Sequence, residues 1–172
     1  TGTTWSQQAK LVAADGAASD TFGFSVSISG ETAIVGSYFD DVGANTNQGS
    51  AYVYVRSGTT WSQQAQLNAA DGAANDQFGF SVSISGETAV VGANQDDVGA
   101  NPNQGSAYVF VRSGVTWTQQ QQLTAADGAP NDQFGYSIAV SGETAIVGAS
   151  FDDVGANADQ GSAYVFVRSG TT

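Results

Sequence analysis

Three pairs of adjacent aspartates, Asp40-Asp41, Asp96-Asp97 and Asp152-Asp153, carry the densest chemistry in this sequence. Each opens a stretch rich in Asn, Gln and Gly, as in Asp96-Asp97-Val98-Gly99-Ala100-Asn101-Pro102-Asn103-Gln104-Gly105. Carboxylate and amide oxygens on a chain that glycine lets bend suit a hard cation such as calcium, which takes six to eight oxygens. The calcium candidates are Asp40, Asp41, Asn45, Asp96, Asp97, Asn101, Asp152, Asp153, Asn157 and Asp159. Calcium is an optional ligand on this reading, and no cofactor is required. The spacing is not that of an EF-hand. Asp, Asn and Gly are also ordinary turn formers, and carboxylates confer solubility. Two carboxyls flanking a bond could hydrolyse a glycoside, but neighbours on a turn point apart. With no His, no Cys and Lys10 as the single lysine, the Ser and Thr hydroxyls lack an activating partner. The expectation is a protein that is not an enzyme.

Four Lys and Arg stand against sixteen Asp and Glu in 172 residues, a formal net charge of −12. Such a chain repels phosphate backbones and anionic lipid, which argues against nucleic-acid binding. No apolar run approaches the roughly 20 residues that span a bilayer, so membrane insertion is not expected. Without Cys, disulfides and thiolate metal sites are excluded. The chain opens at Thr1 with no leader pattern, which reads as a processed or excised piece.

The elements that must position these residues come in three copies. Trp5, Trp61 and Trp117 stand 56 residues apart, as do Phe22-Gly23, Phe78-Gly79 and Phe134-Gly135, and Arg56, Arg112 and Arg168. Self-similarity at a fixed period is the mark of repeat architecture. The units are 5–60, 61–116 and 117–172, one repeat domain over 1–172, with residues 1–4 overlapping the repeat end.

Each unit reads as four short strands. Residues 61–67 place Trp61, Ala65 and Leu67 on one face and Ser62, Gln64 and Gln66 on the other. Residues 78–85 alternate Phe80, Val82 and Ile84 with Ser81, Ser83 and Ser85. Gly86-Glu87 then forms a two-residue loop with Gly first, which suits a type II′ hairpin. Residues 88–93 and 106–112 supply the remaining strands, rich in β-branched and aromatic residues. The fold class is all-β. A sheet with a bulky face and a serine face can stack on copies of itself, and radially stacked four-stranded sheets make a β-propeller.

The run from Phe78 through Ala93, continued by Gly105-Ser106-Ala107-Tyr108-Val109-Phe110-Val111, resembles the FG-GAP repeat of integrin α-subunit propellers and their bacterial relatives. The likeness covers nearly all of each unit. It implies three four-stranded antiparallel blades in a secreted or cell-surface protein that binds other macromolecules. The closing Pro of the name motif is missing, with Ser37-Tyr38, Ala93-Asn94 and Ala149-Ser150 in its place. The family's calcium loop between the first two strands is missing too, replaced by Ser85-Gly86-Glu87-Thr88.

In such blades the Phe-Gly strand is innermost and the Trp strand outermost. This chain then begins with an outer strand and ends with a blade lacking one. Three blades fall below the usual four to eight, so the expectation is a homodimer closed into a six-bladed ring by terminal strand exchange. A threefold β-trefoil or β-prism monomer is the alternative fold. Loop tips differ among copies, and the aromatics Tyr38, Phe39 and Phe151 are candidate ligand contacts for protein or glycan. The propeller topology puts Asp71, Asp76, Asp96 and Asp97 on one rim, with Glu87 and Arg112 neutralising each other on the other. A scaffold module, a glycan-binding lectin and a calcium-stabilised adhesin fragment remain the functional readings.

Overall fold

A computed structural model describes residues 2–170. Among the described residues eleven strands form three antiparallel sheets. The first joins β1 (Ser25–Ser29), β2 (Thr32–Ser37), β3 (Ser50–Ser57) and β4 (Thr60–Leu67) in that order. The second joins β5 (Phe78–Ser85), β6 (Thr88–Ala93), β7 (Ser106–Ser113) and β8 (Thr116–Leu123). The third holds β9 (Phe134–Ser141), β10 (Thr144–Ala149) and β11 (Ser162–Val167) and stops at three strands.

This phase matters. The Trp strand of a unit pairs with the last strand of the preceding unit, Arg56 opposite Trp61 and Arg112 opposite Trp117. The first two sheets therefore take their outer strand from the following unit, and among the described residues no fourth strand joins the last sheet. The first Trp segment, residues 5–11, has no sheet beside it and forms no strand. Its residues alternate like those of β4 and β8, so a missing neighbour, not its own composition, leaves it without a ladder.

The hairpin at Gly86-Glu87 takes the expected form. Ser85 pairs with Thr88, Gly86 has a φ of 57°, and Glu87 stays outside the positive-φ region, the signature of a type II′ turn. The sheets stack bulky face on serine face. Val82 and Ile84 of β5 join one buried cluster with Ile34 and Val53 of the first sheet. Serines across the contact bond to backbone: Ser25 Oγ donates to Gly79 O at 2.7 Å, and Ser27 Oγ accepts from Ile84 N at 3.2 Å. The next contact repeats this, with Ser81 Oγ donating to Gly135 O at 2.6 Å and Ser83 Oγ accepting from Val140 N at 3.0 Å. Glycine allows the approach, because a Cβ on Gly36 would fall on the carbonyl oxygen of Gly79.

Phe80 departs from the expected pattern. The ladder slips between Phe78 and Ser81, and Gly79 takes a φ of 90°, a bulge that turns Phe80 off the bulky face of β5. Val82 and Ile84 keep that face.

Candidate functional site

The two ends of the stack are open, and they are complementary. On the first sheet Val26 and Ile28 face outward; Val26 is 68 % exposed, whereas its counterpart Val82 is 7 % exposed beneath the first sheet. On the third sheet Ile146, Val165 and Val167 are exposed; Val165 is 63 % exposed, whereas its counterpart Val53 is fully buried. The open face of the third sheet thus presents the residue types that cover Val82 and Ile84 inside the chain. Contiguous exposed apolar surface is, in proteins generally, a common feature of interaction surfaces.

The unpaired N-terminal segment already lies where an outer strand belongs. Trp61 Nε1 donates to Gln8 Oε1 at 3.1 Å, and Ala14 N donates to Gln63 Oε1 at 3.1 Å. Trp117 Nε1 to Gln64 Oε1 at 2.9 Å and Ala70 N to Gln119 Oε1 at 2.9 Å are the same contacts one unit later. Leu11, Ala13 and Phe22 cover Val35, Tyr52 and Tyr54 of the first sheet. The segment's side-chain contacts are made while its backbone edge has no sheet.

Between the second and third sheets lies a groove of about 380 Å³, lined by Thr88, Gln120, Phe166 and Arg168 among others. At the equivalent place one contact earlier, Trp117 fills the space. It bonds Gln64, and Arg112 stacks over it at 5.3 Å while donating to Thr32 Oγ1 at 3.1 Å. No tryptophan among the described residues lines the second groove. Trp5, the equivalent of Trp117, is fully exposed. Trp117 thus anchors the second sheet on the first, whereas Trp61 packs on its own sheet and on the N-terminal segment, and Trp5 has nothing to anchor on.

The acidic loops occupy one rim. Asp71, Asp76, Asp96 and Asp97 line a single cavity of about 520 Å³. Burial pushes the Asp76 carboxyl up to about 6, with Asp96, Asp97 and Asp71 adding repulsion against the bond it accepts from Ala73 N. Burial likewise raises Asp96 and Asp132. On the opposite rim Glu87 and Arg112 form the expected two-pronged ion pair, and Glu31–Arg56 and Glu143–Arg168 repeat it.

The calcium candidates are spread over several protein-internal roles. Asp40 Oδ2 accepts from Ser50 Oγ, from Tyr52 OH at 3.0 Å and from Gln66 Nε2 at 3.3 Å. Asp96 Oδ2 accepts from Tyr108 OH and Gln122 Nε2, each at 3.1 Å. Asp152 Oδ2 accepts from Tyr164 OH at 2.9 Å. Asp41, Asp97 and Asp153 each close their own loop through backbone N–H at 2.8 Å, the donors being Asn47, Asn103 and Asp159. Asn45 and Asn101 reach the next linker, donating to Gly72 O at 3.1 Å and Gly128 O at 3.0 Å, and Asn157 donates to Gln160 at 2.7 Å. Among the described residues no three acidic side chains converge on a common point as metal ligands would.

Tyr38 and Phe39 sit together, ring centroids 4.1 Å apart, and belong to a larger array. Phe24, which immediately precedes β1, Phe80 of β5 and Tyr136 of β9 contact in series at 5.1 and 5.0 Å. Tyr38 joins them through Phe24 at 4.5 Å, and Phe151 through Tyr136 at 6.1 Å. The row Phe24–Phe80–Tyr136 is readable as the second aromatic directly after each Phe-Gly, but its exit from the bulky face depends on the bulge.

Antiparallel sheets stacked through their innermost strands, the first two taking their outer strand from the next unit, define the blades of a β-propeller. The chain belongs to the FG-GAP repeat family, whose family model matches residues 5–54, 61–110 and 117–166. The second and third matches each straddle two blades, taking the outer strand of one and the inner three strands of the next, while the first begins in the unpaired N-terminal segment. The family is generally a scaffold or adhesion fold, typical of extracellular or surface proteins. No helix among the described residues is long and apolar enough to cross a membrane. A search of curated proteins found no match to the chain.

Proposed function

We propose that the chain is a non-enzymatic, extracellular interaction module that completes its propeller with a second copy of itself. Each N-terminal segment adds to the β11 edge of its partner, and the bulky face of one first blade covers the open face of the other's third. The observation that carries this is the pairing of one missing part with one spare part. The groove at Gln120 and Arg168 lacks a tryptophan, and Trp5, held on the unpaired N-terminal segment, has no groove. Such a contact is heterologous, so it closes a ring or runs on as a fibre. Six is the only multiple of three within the usual four to eight blades, which selects two copies.

The ladders of the complete blades set the register. Val53 lies opposite Ala65 and Val109 opposite Gln121, so Val165 pairs with Ala9 of the other copy. Light scattering on the eluting protein is expected to give twice the chain's 17.5 kDa. A particle of one chain, or of three or more, overturns the reading. In a chain without cysteine, Ala9→Cys with Val165→Cys is expected to give a covalent dimer on oxidation. A purely intrachain product would overturn exchange.

The aromatic row favours a second reading, a lectin on the same blades, because rings in series, exposed at Phe24, Tyr136 and Phe151 and half-buried at Tyr38, Phe39 and Phe80, offer stacking surfaces to sugar faces. A glycan array tests it, with binding expected to vanish in Tyr38→Ala, Phe39→Ala and Phe151→Ala variants. No reproducible binding removes the reading.

A further inference from the structure

We infer that Lys10 of one copy enters the buried carboxylate site formed by Asp152 and Tyr164 of the other, and that this ion pair makes the last blade select the N-terminal strand. The inference rests on the strand exchange proposed above. In the two complete blades a buried aspartate at the end of the second strand, a tyrosine on the third and a glutamine on the outer strand meet. Gln66 Nε2 lies 3.3 Å from Asp40 Oδ2 and 3.2 Å from Tyr52 OH; Gln122 Nε2 lies 3.1 Å from Asp96 Oδ2 and 3.0 Å from Tyr108 OH. In the third blade the aspartate and tyrosine are present, Tyr164 OH donating to Asp152 Oδ2 at 2.9 Å, but the outer-strand donor is missing. Asp152 is nevertheless only 7 % exposed. A buried carboxylate short of a donor is costly, and a cation settles it better than an amide does.

The repeat step dictates what arrives there. Tyr52 lies opposite Gln66 and Tyr108 opposite Gln122, and one unit earlier the equivalent of Gln66 is Lys10. The single lysine of the chain thus occupies the one outer-strand position that points at a buried aspartate. In the isolated chain it is exposed. Its ammonium has three donors and a stem one atom longer than the glutamine amide, enough to reach both Asp152 and Tyr164. β4 and β8, which carry glutamine here, are already committed to their own sheets. The charge therefore distinguishes the free terminal strand from neutral copies of itself supplied by other chains.

Complementary charge reversal provides the test. Lys10→Glu places two carboxylates together at both contacts of a homodimer, and Asp152→Lys places two ammonium groups together. Mixed, each contact holds one of each sign. Lys10→Glu alone and Asp152→Lys alone are each expected to raise the dimer dissociation constant at least tenfold in sedimentation velocity. An equimolar mixture is expected to recover the two-chain particle. Because Lys10 is exposed in the single chain, Lys10→Glu leaves the fold intact, which circular dichroism checks. If Asp152→Lys unfolds, Asp152→Asn replaces it, with the same expected loss of affinity. A Lys10→Glu variant that dimerises as the parent does overturns this inference while leaving strand exchange standing. A parent that is one chain at the same concentration overturns strand exchange itself.

Discussion

Gln8 accepts the indole N–H of Trp61 at 3.1 Å, repeating the bond from Trp117 to Gln64 at 2.9 Å. The second pair joins two complete blades. The first joins a complete blade to a segment whose own blade is not in the chain. Docking of the outer strand on its neighbour is thus independent of the ladder that would complete its sheet. The segment is held in place before closure, which lowers the ordering cost of strand exchange.

Trp5→Ala is expected to abolish the two-chain particle while leaving the blades folded. In the assembled ring Trp5 would stack beneath Arg168 and bond Gln120, as Trp117 does with Arg112 and Gln64. Truncating a buried Trp costs about 3–5 kcal/mol, and a half-buried one roughly half as much. A loss of about 2 kcal/mol at each of two contacts moves dissociation into an accessible range. Light scattering over a dilution series reads it, with an unchanged dissociation constant as the contrary result.

Ala139→Ser is expected to tighten the same contact. Ser27 and Ser83 stand at this position in the first two blades, accepting from Ile84 N and Val140 N at 3.2 and 3.0 Å. The third blade has Ala139 here, so Ile28 N of the partner would find no acceptor at the open contact. A restored hydrogen bond contributes about 0.5–1.5 kcal/mol, two- to tenfold in affinity per contact. A substitution without effect on the dimer would mean that the first and third blades do not meet in this register.

Much of this architecture is legible in the residues. The 56-residue step, the serine and bulky faces of β5 and the Gly86-Glu87 hairpin follow from local spacing, because strand alternation and turn chemistry act over a few residues, and the Glu87–Arg112 pair follows once the blade topology is assumed. The open outer strand follows from the order of strands within the unit. What escapes a linear reading depends on contacts between units. Phe80 looks like a core residue until the bulge at Gly79 turns it toward Phe24 and Tyr136. Asn45 and Asn101 look like cation ligands or turn formers, yet they reach the next linker and tie blade to blade. Lys10 is unremarkable until the ladder aligns its position with Gln66 and Gln122.

Gly92→Val is expected to destabilise the chain by several kcal/mol. A Cβ at this position would fall on the carbonyl oxygen of Gly135, backbone that cannot swing aside. Overpacking in a close-packed interior costs about 1–3 kcal/mol, and here the blades must also separate and break the bond from Ser81 Oγ to Gly135 O. Gly142→Ala serves as the comparison, since it lies in a hairpin with open space around it and carries only the strain of its positive φ. Chemical denaturation that ranks Gly142→Ala as the more damaging of the two contradicts the close-approach account.

Calcium and chelator are both expected to leave the melting temperature where it is. Asp40 and Asp96 already accept from buried tyrosine and glutamine donors, and Asp41, Asp97 and Asp153 are engaged by loop N–H groups. A cation would have to displace several of these bonds, against the six to eight oxygens it requires. A rise of several degrees in millimolar calcium, reversed by chelator, would show that the loops rearrange around a metal.

Stability is expected to decline as the pH rises from about 4 through about 6. The Asp76 carboxyl, pushed up to about 6 by burial and by neighbouring Asp96, Asp97 and Asp71, holds its proton more tightly folded than unfolded. Its contribution is fully present below its ordinary value of 3.8 and is lost as pH rises through about 6. Asp96 and Asp132 are raised in the same direction and add to that limb. Glu31, Glu87 and Glu143 oppose it, since their arginines hold them below the ordinary 4.5 and their contribution is lost only on acidification. Denaturation of the Trp5→Ala variant at fixed concentration separates this effect from assembly. Asp76→Asn should flatten the decline between about pH 4.5 and 7, by on the order of 1 kcal/mol. A variant whose stability falls as steeply as the parent's would place the titrating group elsewhere on the acidic rim.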